Sequence, residues 1–474
     1  MAFHSLNDSF DLDGSWWLPD KPENVISGSL NYTPQKAELR LHGVLTPWIG
    51  EGQAFSFDNG FARDYPVVHG KTINGQQVTL LRAQRIGLNS AFSSETTAQR
   101  ERLISSWVLL GTNANEDQRY ESVAFLIPGL HLWVGSPLVR RRNDESGAAK
   151  TFDLVCKEIP EMPIEVIDGA IELVLNYEGQ TSFYRVDLEM VAWLRVLARE
   201  PKPLSWFMDQ HAALGALFAL LADVPMGPNR VVAVLPEQKP IDVLFATRES
   251  ACCPYDRDSQ FAVSRRELQV EIHDLFKQWF NVYPKVKTAS QLAVSIIGSK
   301  ELWPHVEFLS LMQALEGLHR AMYPGIYMQD EEYEGVKRLL GSAIPSTLTQ
   351  SHKMSLRSKI KYGNQFSLRK RLNELVNTLD KELCLEILGD GGTVPQRWID
   401  TRNYFTHWDD TLRDNIVFPE DMHEASHRLR QLLRVLYLKV AGVPSAALRS
   451  ALGNHSDASQ YLRQLNAREK ARSS

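Results

Sequence analysis

The chain has little cysteine, no strong charge imbalance and no long apolar run, and each shortage removes a class of protein. Four cysteines, Cys156, Cys252, Cys253 and Cys384, are spread over 474 residues. They are too few for a disulfide framework at this length, and their spacing fits no zinc site. The adjacent pair Cys252-Cys253 is geometrically ill suited to bridging itself and reads as structural or incidental. A net charge of −5 argues against a generic nucleic-acid binder, so any such binding must come from a local patch. The longest uncharged apolar run, residues 212–222, is far too short to span a bilayer. Residues 1–13 are polar and acidic, unlike a signal peptide, and a soluble cytoplasmic protein is expected. Gly-rich phosphate loops, zinc-protease helices and nucleophile elbows are missing as well, and neither metal nor cofactor is called for.

What remains is ordinary globular material, 43% apolar and 23% charged, long enough for two or three domains. The first half reads as β-structure. Residues 37–42 alternate apolar and polar, as do Ile171, Leu173, Leu175 and Tyr177, the mark of strands with one buried face. Asn74-Gly75 reads as a tight hairpin turn. Further strand-like runs are expected at 122–127, 130–134 and 182–186, with Gly179 ending the strand before the last of these. Such spacing suggests an antiparallel sandwich or barrel. A helix is expected over 204–222, after Pro201 and Pro203, followed by strands at 230–235 and 241–247.

The second half reads as helical. Phe308, Leu311, Met312, Leu315, Leu318 and Met322 repeat at helical spacing. A shorter helix is expected over 330–340. Ser367 can cap one running from 368 to 388, Pro395 opens another, and Pro419 opens the last long one. The expected organisation is α+β and multidomain: an antiparallel, sandwich-like β-rich region (1–255), an all-α bundle (256–445) and a polar, loosely attached tail (446–474).

Arg402-Asn403-Tyr404-Phe405-Thr406-His407 carries the sharpest chemical signal. Residues four apart on a helix lie one above the other, so Arg402 falls over Thr406 and Asn403 over His407. Trp398, Ile399, Tyr404, Phe405 and Trp408 surround this polar stripe. A fixed cation beside an imidazole that moves protons near neutral pH suits chemistry on a phosphodiester. Arg-to-His spacings of similar length also occur at Arg63–His69, Arg266–His273 and Arg449–His455, but only Arg402 has an Asn beside it and a long helical context. The bland alternative is a solvated helix face paired with Asp400 or Asp409. Glu316, near His319 and Arg320, is a candidate for holding Arg402 or His407, or else a surface salt bridge.

Residues 352–371 hold Lys353, Arg357, Lys359, Lys361, Arg369, Lys370 and Arg371 without one acid. They form either a patch that tracks RNA phosphates or a solvated helix face. Tyr362 and Phe366 lie between them and are suited either to stacking on bases or to the core. Arg140-Arg141-Arg142 reads as a surface loop. Trp16-Trp17 reads as a sheet-edge packing pair or as a stacking platform for a sugar or base.

Taken together, the chain resembles ApeA-type proteins, which join a β-rich N-terminal domain to a HEPN domain. The resemblance rests on Gly14-Ser15-Trp16-Trp17-Leu18-Pro19, continuing through Val25 and Gly28-Ser29-Leu30-Asn31-Tyr32, and on Glu200-Pro201-Lys202-Pro203-Leu204. In the second half it rests on Ala314-Leu315-Glu316-Gly317-Leu318-His319-Arg320 and on Arg402 to His407, which fits the HEPN pattern of Arg, polar neighbour and His. It covers all but about the last thirty residues. The likeness implies a metal-independent endoribonuclease of anti-phage abortive infection, leaving 2′,3′-cyclic phosphate and 5′-hydroxyl ends. HEPN domains pair to make a composite cleft, so it implies a homodimer or higher homo-oligomer. His407 would transfer protons, Arg402 would hold the scissile phosphate, and Asn403 would orient one or the other. RNA, with tRNA among the candidates, would be the substrate, and a phage-derived trigger would act through the N-terminal domain. The competing expectation is a non-catalytic binding protein whose helical domain only dimerises.

Overall fold

The computed structural model describes residues 4–46, 63–92, 97–135, 139–143, 149–154, 163–166, 168–236, 239–247, 253–299, 301–389 and 391–473. Two compact units emerge, residues 1–215 with 225–258, and residues 216–224 with 259–474.

In the first unit, period-two patterns become strands because successive side chains face opposite sides of a sheet. The first six are β1 (Phe10–Leu18), β2 (Lys21–Thr33), β3 (Lys36–Leu41), β4 (Asp64–Thr72), β5 (Gln77–Phe92) and β6 (Thr97–Leu110). They pair antiparallel in the order β3-β2-β1-β4-β5, and β6 joins both β3 and β5. The sheet thus curls into a closed barrel rather than stacking as a sandwich, which leaves no free edge among these strands. Asn74-Gly75 makes the β4–β5 turn, with Gly75 at φ 83°. Trp16 is fully buried and donates its Nε1 hydrogen to the Gly28 carbonyl at 3.1 Å. A Cβ on Gly70 would lie 2.4 Å from the Trp16 ring, so only glycine fits there. Trp16 therefore cannot stack on a ligand; its half-buried neighbour Trp17 lines a shallow surface groove instead.

The remaining elements of this unit are β7 (Arg119–Leu126), the single helical turn α1 (Leu130–Val134), the hairpin β8 (Val139–Asn143) and β9 (Ala149–Leu154), β10 (Ile164–Val166), β11 (Gly169–Thr181), β12 (Val186–Pro203), the first part of α2 (Leu204–Ala222), whose residues from 216 on belong to the second unit, β13 (Arg230–Val234) and β14 (Ile241–Leu244). Strand β6 belongs to two arrangements. Its Glu101–Ser105 stretch pairs with β3 in the barrel, and its Val108–Leu110 stretch pairs with β14 in an open extension. Three expectations fail locally. Residues 130–134 form α1 rather than a strand, because Gly129 and Gly135 both take left-handed geometry at its ends. Strand β11 runs on through Gly179 to Thr181, and Ser182–Arg185 is the turn, closed by hydrogen bonds between those two residues. Arg140-Arg141-Arg142 lies in β8, paired with β9, whereas residues 144–148 fall outside the described segments. Cys156 and Cys252 fall outside them too; Cys253 and Cys384 are in no disulfide.

The second unit is a helical bundle of α3 (Ile272–Gly298), α4 (Pro304–Met322), α5 (Asp330–Ser342), α6 (Gln350–Tyr362), α7 (Leu368–Val376), α8 (Lys381–Leu388), α9 (Gln396–His407), α10 (Pro419–Val440), α11 (Ser445–Leu452) and α12 (Asp457–Ser473). Helix α4 packs on α3 and α10, burying Phe276 and Trp279, Leu311 and Leu315, and Leu432 and Leu436 along the contact. The sequence pattern does not single out α3, whose run is interrupted by Pro284. The helix expected over 368–388 is two, because Asp380 Oδ1 accepts from the Leu383 amide at 2.9 Å and caps a new start. The segment expected to hang loosely forms α11 and α12, which bury Leu448, Leu452, Leu462 and Leu465. Arg428 ties α12 down through Asn466 Oδ1 at 2.8 Å and Glu469 Oε2 at 2.9 Å.

Candidate active site on helices α4, α7 and α9

Helix α9 is held by its first two turns. Trp398, Ile399 and Thr401 are buried. The Thr401 hydroxyl donates to the Arg397 carbonyl at 2.6 Å and accepts from the Val417 amide at 2.8 Å, joining the helix to the chain that follows it. The far end is set by Trp408, which turns left-handed at φ 53° and donates its amide hydrogen to the Tyr404 carbonyl at 2.6 Å. The helix therefore ends at His407 and leaves that side chain exposed. Trp408 itself is 74% exposed, so it does not wall the site as expected.

One turn back, Arg402 has two partners. Its guanidinium donates to Asn403 Oδ1 at 3.2 Å and to Glu316 Oε2 at 3.4 Å. The other Glu316 oxygen accepts from Arg320 Nε at 3.1 Å and Nη2 at 2.9 Å. Arg320 also reaches Gln365 Oε1 at 3.4 Å. One carboxylate thus serves two guanidinium groups, and the cluster keeps a net positive charge. The Arg402 side chain remains 27% exposed, which leaves donors free for an anion. Thr406 contributes no free hydroxyl to the stripe, because its Oγ1 donates to the Arg402 carbonyl at 2.7 Å. Neither suggested alternative acid takes Arg402. Asp400 accepts from Gln396 at 2.9 Å. Asp409 accepts twice from Thr411, and those bonds hold its carboxyl below the usual range, with His407 adding a smaller pull.

Behind this cluster lies a polar network that the sequence does not reveal. His319 is fully buried on α4; its Nε2 meets Glu374 Oε2 at 2.6 Å and its Nδ1 meets Arg371 Nη1 at 3.1 Å. A guanidinium only donates, so Nδ1 must accept and Nε2 must carry the hydrogen given to Glu374. The imidazole is accordingly neutral, and burial holds it below its usual range against the pull of Glu374. His319 and Glu374 stand 55 residues apart, so no local spacing could have paired them. Arg371 gives its other donors to the Phe366 and Gly325 carbonyls. It is only 2% exposed, which corrects its placement among RNA-contacting residues.

The rest of the basic cluster faces outward. Arg357, Lys359 and Lys361 are exposed on and beside the solvent face of α6, and Arg369 and Lys370 are exposed on α7. Tyr362 is 55% exposed with Lys361 over its ring. Lys370 Nζ sits 3.9 Å from the Phe366 ring centre and 4.1 Å from that of Tyr327, itself 53% exposed. Among the described residues no three His, Cys, Asp or Glu side chains gather as a metal site would require, and no helix is long and apolar enough to cross a membrane.

Two family models match the chain. The ApeA N-terminal domain 1 model covers residues 11–279 and the Apea-like HEPN model covers residues 309–447, so α7, α9 and all but the first turn of α4 fall within the second. No curated protein and no solved structure matches. With the two models in chain order and the first alone spanning more than half of it, the chain belongs to the ApeA-like family, an ApeA N-terminal domain followed by a HEPN domain, a family that points to anti-phage defence and ribonuclease activity.

Proposed function

We propose that this protein is an endoribonuclease that cuts RNA at a composite site built by two copies of the helical unit. The observation that carries it is a partly exposed Arg402, oriented by Glu316 and Asn403, five residues before an exposed His407 at the end of the same helix. In the reaction the ribose 2′-hydroxyl loses its proton and its oxygen attacks the adjacent phosphorus. The bond to the 5′-oxygen breaks, and that oxygen takes up a proton. The products are a 2′,3′-cyclic phosphate and a 5′-hydroxyl, and no metal is needed for either transfer. Arg402 neutralises the charge that builds on the phosphoryl oxygens. Proton removal and proton delivery call for two groups on opposite sides of the phosphorus. One chain offers one exposed imidazole on this helix, and His407 of a second copy supplies the other. Asn403 holds the Arg402 guanidinium and leaves its amide hydrogens for the phosphate. Arg357, Lys359, Lys361, Arg369 and Lys370 guide the strand through its phosphates. Structured RNAs with unpaired loops, such as tRNA, present the splayed nucleotides this step needs. The N-terminal unit restrains or triggers the nuclease during phage infection in the cytoplasm.

The test incubates wild type, Arg402→Ala and His407→Ala with total RNA in EDTA, with and without lysate from phage-infected cells, and maps new ends. Cleavage by wild type alone, leaving cyclic-phosphate ends, is expected. RNA binding without scission in every condition would instead favour a binding module whose helical unit only dimerises.

A further inference from the structure

Beside the Arg402 cluster, α7 frames a concavity of about 350 Å³ lined by Phe366, Ser367, Arg369, Lys370, Asn373, Glu374 and Asn377. It is tied to the cluster through Glu374, which accepts from His319 on α4, the residue before Arg320. Its chemistry is sorted by position. Arg369 and Lys370, both exposed, stand at one end. Phe366 supplies an aromatic wall, with Tyr327 packed edge-on against it at 4.9 Å between ring centres. At the other end are the side-chain amides of Asn373 and Asn377, one helical turn apart, which make no hydrogen bond among the described residues. Between them lies Glu374, fixed by its bond from His319 and 41% exposed, with acceptor capacity to spare.

Cations for a phosphate, an aromatic wall for a ring, and unpaired amides for a base edge are the three parts a nucleotide site needs. An Asn amide offers a donor and an acceptor side by side, the complement of the N6 and N7 edge of adenine. A carboxylate can only accept, so Glu374 suits a base edge that presents a donor, such as the N6 amino group of adenine. We infer that this concavity is a nucleobase pocket that receives an unpaired adenine of the RNA and so sets which phosphodiester reaches Arg402 and His407. The last clause rests on the ribonuclease reading; the pocket itself does not.

The experiment measures binding of fluorescein-labelled hexaadenylate and hexauridylate to the full chain carrying His407→Ala, which is judged without any cleavage. Hexaadenylate is expected to bind about tenfold more tightly. Asn373→Ala with Asn377→Ala should abolish that preference while leaving hexauridylate binding unchanged. Asn377→Ala alone, at an exposed position, should reduce it without disturbing the helix. Equal affinity for the two hexamers, or a preference that survives the double substitution, overturns the pocket and leaves only phosphate attraction. End mapping on the otherwise wild-type chain separates the two ideas. Cleavage that continues with no adenine beside the cut sinks the pocket and spares the nuclease, whereas a clear hexaadenylate preference without any cleavage does the reverse.

Discussion

Each unit of the molecule builds an arginine–glutamate pair, and the two are opposite in character. In the barrel, Arg85 Nε meets Glu101 Oε1 at 2.6 Å with both side chains shut away from solvent. Glu101 also accepts from the Tyr65 hydroxyl at 2.7 Å and the Leu45 amide at 2.8 Å. Burial, followed by Glu101, pushes the Tyr65 phenol up to about 12, which keeps it a neutral donor. Both carboxylate oxygens have a donor, as a buried charge requires. In the helical unit, Arg402 meets Glu316 at 3.4 Å, half open, and must share that carboxylate with Arg320. A saturated pair holds strands together; an undersaturated one retains attraction for a further anion. The contrast teaches that exposure and spare donors, rather than the presence of an ion pair, mark the working arginine.

The comparison breaks most visibly in catalysis. Arg402→Ala and His407→Ala are each expected to lower RNA cleavage by about a hundredfold to a thousandfold while leaving the denaturation midpoint unmoved; equal loss of stability would put Arg402 in the same class as Arg85. The converse substitution, Glu101→Ala, strands a buried guanidinium and is expected to cost about 3–5 kcal/mol, read by urea unfolding. Glu316→Gln sits between the two. It should reduce cleavage by about tenfold, through a looser Arg402, and change stability by no more than about 1 kcal/mol because the pair is partly solvated.

Smaller effects sharpen the picture. Burial lowers His427 on α10 from 6.5 to about 4. A histidine whose folded value is depressed stabilises the fold fully above its unfolded value and loses that stabilisation as pH falls. Stability of the helical unit should therefore decline from about pH 6.5 towards pH 4, and His427→Gln should flatten the decline in a pH series of unfolding curves. Last, Lys359→Ala or Lys361→Ala should weaken RNA binding with little sequence dependence, each lowering the slope of log affinity against log salt by about 0.7 to 1.

How much of this was legible in advance follows the range of the interactions. The α2 helix, the Asn74-Gly75 turn and the start of α9 after Pro395 were readable because caps, turns and periodicity act over a few residues. The break between α7 and α8 was local too, yet Asp380 lay hidden inside an unbroken apolar pattern. The polar run from Arg402 to His407 was visible as a motif, and so was the outward basic stretch of α6.

The sequence by itself determined the antiparallel β-rich first half, the helical second half, and the placing of a fixed cation and an imidazole on one helix. Each rests on contacts between near neighbours, whose geometry a strand or helix dictates. Only the tertiary structure decided that the sheet closes through β5 and β6, that Arg371 turns inward to His319 while Lys370 stays outside, and that Glu316 divides its charge between Arg320 and Arg402. Those outcomes join residues far apart in the chain, and long-range packing, rather than local propensity, chooses which polar groups meet.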